Sequence, residues 1–120
     1  MIRFATENDL TAMLDIYAPY VENTTYSFEY EVPSMDVFAA RFRDHVAQFP
    51  WLVWEEEGRV LGYAYAGAPW ERAAYRWCAE VSIYLHSSVH GRGIGRQLYA
   101  VLEDILTKQG YRVCYALITT

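Results

Sequence analysis

The segment Gly91-Arg92-Gly93-Ile94-Gly95-Arg96 constrains the fold of this 120-residue chain more than any other feature. It stands between two segments of different periodicity. From Trp77 to His86 the chain alternates. Trp77, Ala79, Val81, Ile83 and Leu85 are apolar, while Cys78, Glu80, Ser82, Tyr84 and His86 point the other way, as in a strand. After the glycines, Ile94, Leu98, Val101, Leu102, Ile105 and Leu106 recur on one face of a helix, which Gly110 ends. Tyr111 to Ile118 reads as a last strand. Strand, helix and strand in succession predict a right-handed parallel crossover. The glycines therefore sit where a strand ends and a helix begins.

Upstream, Ile2 to Ala5 is a short first strand, followed by Thr6-Glu7-Asn8-Asp9 as a helix start. Leu10, Met13, Leu14, Tyr17 and Val21 keep helical spacing, and Pro19 is expected to kink or end that helix near Ala18. Residues 22 to 33 read as a loop. Ser34 caps a second helix with Met35, Phe38, Ala39, Phe42 and Val46 on its apolar face. Trp51 to Trp54 and Val60 to Ala66 flank Glu55-Glu56-Glu57-Gly58-Arg59 as a hairpin. Residues 70 to 76 are a loop. The order β-α-α-β-β-β-α-β gives one domain, residues 1–120. It is a mixed sheet with an antiparallel meander, a parallel end and helices on its faces.

Fifteen acids against ten Lys and Arg give a net charge of −5, which argues against a general nucleic-acid binder. No run of apolar residues has the length of a membrane span, and Glu7 falls where a signal peptide would be apolar. A soluble cytoplasmic protein is expected. Cys78 and Cys114 are too few for a disulfide scaffold and are expected as reduced, packed thiols. His45, His86 and His90 lack metal-ligand spacing, so no metal is expected.

Glycines at a strand-to-helix junction let backbone approach a ligand closely, and the helix start favours anions. Arg92 and Arg96 add positive charge in an acidic chain. A phosphate-bearing ligand follows. The dinucleotide pattern fails because Arg96 and Leu98 stand at the possible third-glycine positions, and the nucleotide P-loop fails for want of Gly-Lys-Ser/Thr.

His90 to Gly95 resembles the acetyl-CoA signature of the GNAT N-acetyltransferase superfamily, Arg/Gln-x-x-Gly-x-Gly/Ala, with His90 in place of Arg or Gln. Ile2 to Leu10, Ile16-Tyr17, Asn23-Thr24-Thr25, Leu61 to Ala64, Tyr75-Arg76 and Glu80 to Leu85 resemble the phosphinothricin (amino acid analogue) acetyltransferase branch. The resemblance covers the whole chain. It implies an α+β acyl-CoA N-acyltransferase fold, mostly antiparallel, with the parallel strand-helix-strand at the cofactor site. It further implies acetyl-CoA as co-substrate, its pantetheine arm along Ile83, Tyr84 and Leu85, and its pyrophosphate in the cradle of Gly91, Arg92, Gly93, Ile94, Gly95 and Arg96. The acceptor would be the primary amine of a small molecule such as phosphinothricin or methionine sulfoximine.

Glu80 is the candidate general base, since a glutamate in mid-strand loses solvation and needs a reason. A partly buried carboxylate also suits proton removal from an ammonium. The alternative is a structural pair with Arg72 or Arg76. Trp70, Glu71, Arg72, Val81 and Ser82 are the expected substrate contacts beside Glu80, although the family often has Arg-Pro-Phe where Trp70 to Arg72 stand. Asn23, Thr24, Thr25, Tyr26 and Phe28 are candidates for the opposite wall. By resemblance, related chains continue past the last strand with a further helix and strand. This chain is therefore expected to lack the final helix and strand, to expose Tyr111–Ile118 as an edge, and to form a homo-oligomer. The alternative function is a non-catalytic acetyl-CoA-binding module or an inactive fragment.

Overall fold

The computed structural model describes residues 1–23, 31–68 and 78–118. Strands β1 (Ile2–Phe4), β2 (Trp51–Glu56), β3 (Arg59–Gly67), β4 (Cys78–Leu85) and β5 (Arg112–Ile118) form one sheet in sequence order. β1 through β4 pair antiparallel, and β5 runs parallel to β4. Helices α1 (Leu10–Asn23) and α2 (Met35–Val46) precede the meander, and α3 (Ile94–Lys108) makes the crossover from β4 to β5. The expected element order and the parallel end are both found.

Alternation in β4 divides the core into two layers. Ala79, Val81, Ile83 and Leu85 pack with Ile94, Leu98, Leu102 and Leu106 of α3. Tyr84 faces the other way, joining Met13, Tyr17 and Tyr20 of α1, Phe38 and Phe42 of α2, and Trp51 and Tyr63. Five tyrosines, Tyr17, Tyr20, Tyr63, Tyr65 and Tyr84, belong to this second layer. Trp51 stacks on Tyr65 with ring centroids 4.1 Å apart, and Tyr17 and Tyr20 meet Tyr84 edge-on at 5.1 and 5.3 Å. Such geometries suit the ring quadrupole.

Several expectations need correction. α1 does not end near Ala18 but runs through Pro19 to Asn23. A proline inside a helix costs about 3 kcal/mol. Here burial of Tyr17, Tyr20 and Val21 on either side holds the last turns against the sheet. Met35 and Val46 stand at the two ends of α2 and Val101 at the border of the α3 stripe, and all three are exposed. Most consequential, Cys78 and Cys114 are not reduced thiols but a disulfide. Composition does not reveal that β4 and β5 lie side by side. Parallel pairing sets Cys78 opposite Arg112, and Cys114 is the extra residue of a bulge between the Ala79–Val113 and Glu80–Tyr115 pairs. Their Cα atoms stand 5.4 Å apart, within disulfide range.

The outer edge of the sheet is tied by charge to the turn that leads into α1. Arg3 donates to both carboxylate oxygens of Asp9 at 2.8 Å and to Glu55 at 2.9 Å, and Asp9 also accepts from the Thr6 amide at 2.8 Å. The Arg3 hydrogen bonds hold the buried Asp9 carboxyl below its ordinary range.

Two predictions follow from these ties. The disulfide spans 36 residues, so reduction, or Cys78→Ser with Cys114→Ser, is expected to lower stability by about 2–4 kcal/mol, read from urea unfolding with and without reductant. For Asp9 the folded pKa is depressed, so its contribution is complete above the unfolded value near ~4 and is lost as pH falls through the folded value. Asp9→Asn is expected to cost about 2 kcal/mol at neutral pH. Parent and variant should converge in acid, which unfolding curves at both pH values test.

Candidate active site at the end of β4

The local chain explains the site's position. β4 ends at Leu85, and His86 to His90 turn the backbone through a short 3₁₀ segment, Ser87–Val89. His86 Nδ1 accepts from the Ser88 amide at 3.1 Å and caps that turn. Val89 and Ile94 are buried and anchor the loop at both ends. Between them, Gly91 and Gly93 have φ of 78° and 76°, left-handed values that suit residues without a Cβ.

The start of α3 is open. Gly93 is its N-cap and offers no side chain, and no acid occupies the first turn. A Cβ built on Gly91 or Gly93 would meet nothing within 4 Å. The space before the first amides of α3 is free, with the positive end of the helix behind it. Arg96 is exposed and makes no ion pair among the described residues. Arg92 differs from expectation, because its guanidinium is engaged by both carboxylate oxygens of Glu56 on β2. That pairing holds the Glu56 carboxyl below its ordinary range and offsets the charge Arg92 was expected to bring.

β4 supplies the rest. The His86 amide donates to Leu61 of β3 at 2.8 Å. In an antiparallel ladder this turns the backbone groups of Leu85 away from β3. On that other side the described pairing with β5 runs only as far as Ile83–Ile118. The backbone free of strand partners among the described residues is thus at Leu85 and not along the whole stretch from Ile83. Val81, Ile83 and Leu85 bury their side chains toward α3, so Val81 has only its backbone to offer a ligand. Ser82 is 7% exposed, a buried hydroxyl and not a solvated one.

Glu80 is half-buried on the face opposite α3, flanked by Gly67 on β3 and Tyr115 on β5. The place a Gly67 side chain would take is filled by the His45 ring, 2.9 Å from a Cβ built there. The regular β3–β4 register keeps Glu80, Ser82 and Tyr84 on one face, because the bulge lies on β5. Among the described residues Glu80 makes no ion pair. Trp70, Glu71, Arg72 and Arg76 lie outside the described residues, as do Thr24, Thr25, Tyr26 and Phe28.

Sequence reasoning missed two participants. Glu56 was read as part of a turn, and Tyr20 went unmentioned, yet its hydroxyl donates to the Leu85 carbonyl at 2.7 Å. Nothing in the local pattern of α1 marks Tyr20, beyond its place on the buried face. A cleft of about 230 Å³ adjoins it, between Pro19, Tyr20, Leu85 and His90. Among the described residues no group of three or more His, Cys, Asp or Glu could hold a metal ion. No helix there is long and apolar enough to cross a membrane.

Known proteins resemble this chain in sequence and in fold. The chain is 36% identical over 118 residues to phosphinothricin N-acetyltransferase of Streptomyces viridochromogenes, covering 98% of this chain and 64% of that protein. It is 33% identical over 116 residues to the L-methionine sulfoximine/L-methionine sulfone acetyltransferase of Salmonella typhimurium, covering 96% and 68%. The crystal structure of a GNAT superfamily phosphinothricin acetyltransferase from Sinorhizobium meliloti, in complex with AcCoA, superposes with a TM-score of 0.90 at 36% identity, covering 96% of this chain and 64% of that one. The chain thus spans less than two thirds of the Streptomyces relative. The family described as the Acetyltransferase (GNAT) domain matches residues 2–120. By that match over nearly its whole length, the chain belongs to the GNAT acetyltransferase family.

Proposed function

We propose that this chain carries the acetyl-CoA-dependent N-acetyltransferase activity its relatives are named for, acting on the primary amine of a small amino acid analogue such as phosphinothricin or methionine sulfoximine. The observation that carries the reading is the open, uncapped start of α3 with Gly91 and Gly93 clear of any neighbour. An anionic pyrophosphate fits there, held by the amides of the Gly91–Arg96 loop and the positive end of α3. Arg96 adds its charge. The outward-facing N–H of Leu85, whose carbonyl is engaged by Tyr20 and His90, offers a hydrogen bond to the amide-like arm of the same molecule, and bound acetyl-CoA would supply the activated acyl group.

Glu80 is the base of this proposal. Glu80 is half-buried on the face of β4 away from α3, opposite Gly67 of β3. There it takes a proton from the acceptor ammonium, directly or through water, and leaves the amine free to attack. Ser82 shares the face and orients the acceptor. Self-association belongs to the same proposal, and sedimentation tests it.

Two variants test the reading. Gly93→Val places a β-branched residue at a φ of 76° and fills the space before α3. It is expected to weaken CoA binding at least about tenfold, and unchanged affinity in a titration would exclude the loop as the cradle. Glu80→Gln is expected to keep CoA affinity while lowering turnover ~10²–10⁴-fold. That loss should shrink at high pH, where the amine is already neutral. A pH–rate profile matching the parent would place the base elsewhere.

A further inference from the structure

The carbonyl of Leu85 is where β4 runs out of strand partners among the described residues, and two side chains close on it. Tyr20 Oη, reaching across from α1, lies 2.7 Å from that oxygen. His90 Nε2 lies 3.1 Å from the same oxygen and 3.0 Å from Tyr20 Oη. A phenol has one hydrogen, and the Leu85 oxygen can only accept. With Tyr20 donating to Leu85, His90 Nε2 must carry its own hydrogen and donate between the two oxygens. The opposite tautomer would leave the single phenol hydrogen to serve both contacts.

This joint sits at a critical place. His90 is the residue immediately before Gly91, and the loop beyond it has glycines in left-handed geometry at 91 and 93 with no neighbour within Cβ reach. Such a segment has much backbone entropy to lose and little packing of its own to offset the loss. Ile94 holds its far end by burial. At the near end the ring of His90 is bonded to the last carbonyl of β4 and to the hydroxyl of a tyrosine that is only 8% exposed.

We propose that Tyr20 and His90 are positioning residues that lock the start of the Gly91–Arg96 loop onto the end of β4, so that its amides are held in place for an anionic ligand before that ligand arrives. For the ligand itself the proposal rests on the acetyl-CoA reading given above. α1 thereby acts on the affinity of a loop that it does not line.

The test compares the parent with Tyr20→Phe, His90→Ala and His90→Gln. The first keeps the ring and its packing while removing the hydroxyl. The last restores an N–H donor. Backbone order parameters of residues 91–95 are measured without ligand, and CoA and pantetheine, which lacks the phosphates, are titrated separately. Tyr20→Phe and His90→Ala are expected to lower the order parameters of the loop and to weaken CoA by about three- to tenfold, the worth of one such hydrogen bond. Pantetheine affinity should be unchanged, and His90→Gln should recover both readouts. Unchanged order parameters in Tyr20→Phe and His90→Ala would overturn the proposal, as would an equal loss for CoA and pantetheine, which is the mark of general destabilisation. A parent that binds no CoA would overturn the acetyl-CoA reading instead, and the order parameters would still decide the role of Tyr20 and His90.

Discussion

Burial of the α3 stripe against β4 is the constraint on which the rest of the molecule depends. Ile94, Leu98, Leu102 and Leu106 can leave water only by lying across Ala79, Val81, Ile83 and Leu85. At roughly 25 cal/mol per Å² of apolar surface, each such side chain contributes about 2 kcal/mol. With α3 held there, β5 returns parallel to β4. The turn between β4 and α3 is then forced to the C-terminal end of the strand, where its glycines face open space. The same packing buries one face of β4 and leaves Glu80, Ser82 and Tyr84 on the other.

That second face is built differently. Its layer is aromatic, with rings of α1, α2, β2, β3 and β4 meeting edge-on or stacked. Rings fix orientation more firmly than aliphatic side chains, because edge and face carry opposite partial charge. One of them, Tyr20, also has a hydroxyl long enough to reach the end of β4. The aromatic layer therefore packs α1 and, through a single polar atom, meets the start of the glycine loop. On the parallel side, the Cys78–Cys114 bond joins β4 to β5 two residues before Glu80, at the bulge where Cys114 is the extra residue. A covalent tie at that point fixes the register of the strand pair that bears the candidate base.

Much of the candidate site was legible in the sequence because it is local. Gly91, Gly93 and the α3 stripe lie within one supersecondary unit, and Glu80 stands out as an acid within an alternating strand. What was not legible depends on partners far along the chain. Arg92 reads as free positive charge until β2 brings Glu56 to it from 36 residues away. Pro19 reads as a helix end until the sheet supplies a surface that keeps Tyr20 and Val21 in register. Helix rules weigh the lost hydrogen bond but not the tertiary burial that outweighs it.

The sequence by itself determined the elements, their order and the parallel crossover, since hydrophobic period, glycine placement and cap residues act over a few residues and need no partner. Only the tertiary structure decided which side chains share a space. It joined cysteines 36 residues apart across a parallel strand pair, and set a tyrosine of α1 against a carbonyl 65 residues later. The physical reason is one of range. Local preference is encoded in neighbouring residues, whereas a hydrogen bond or disulfide between distant residues forms only after the packed layers have brought its atoms within a few ångströms.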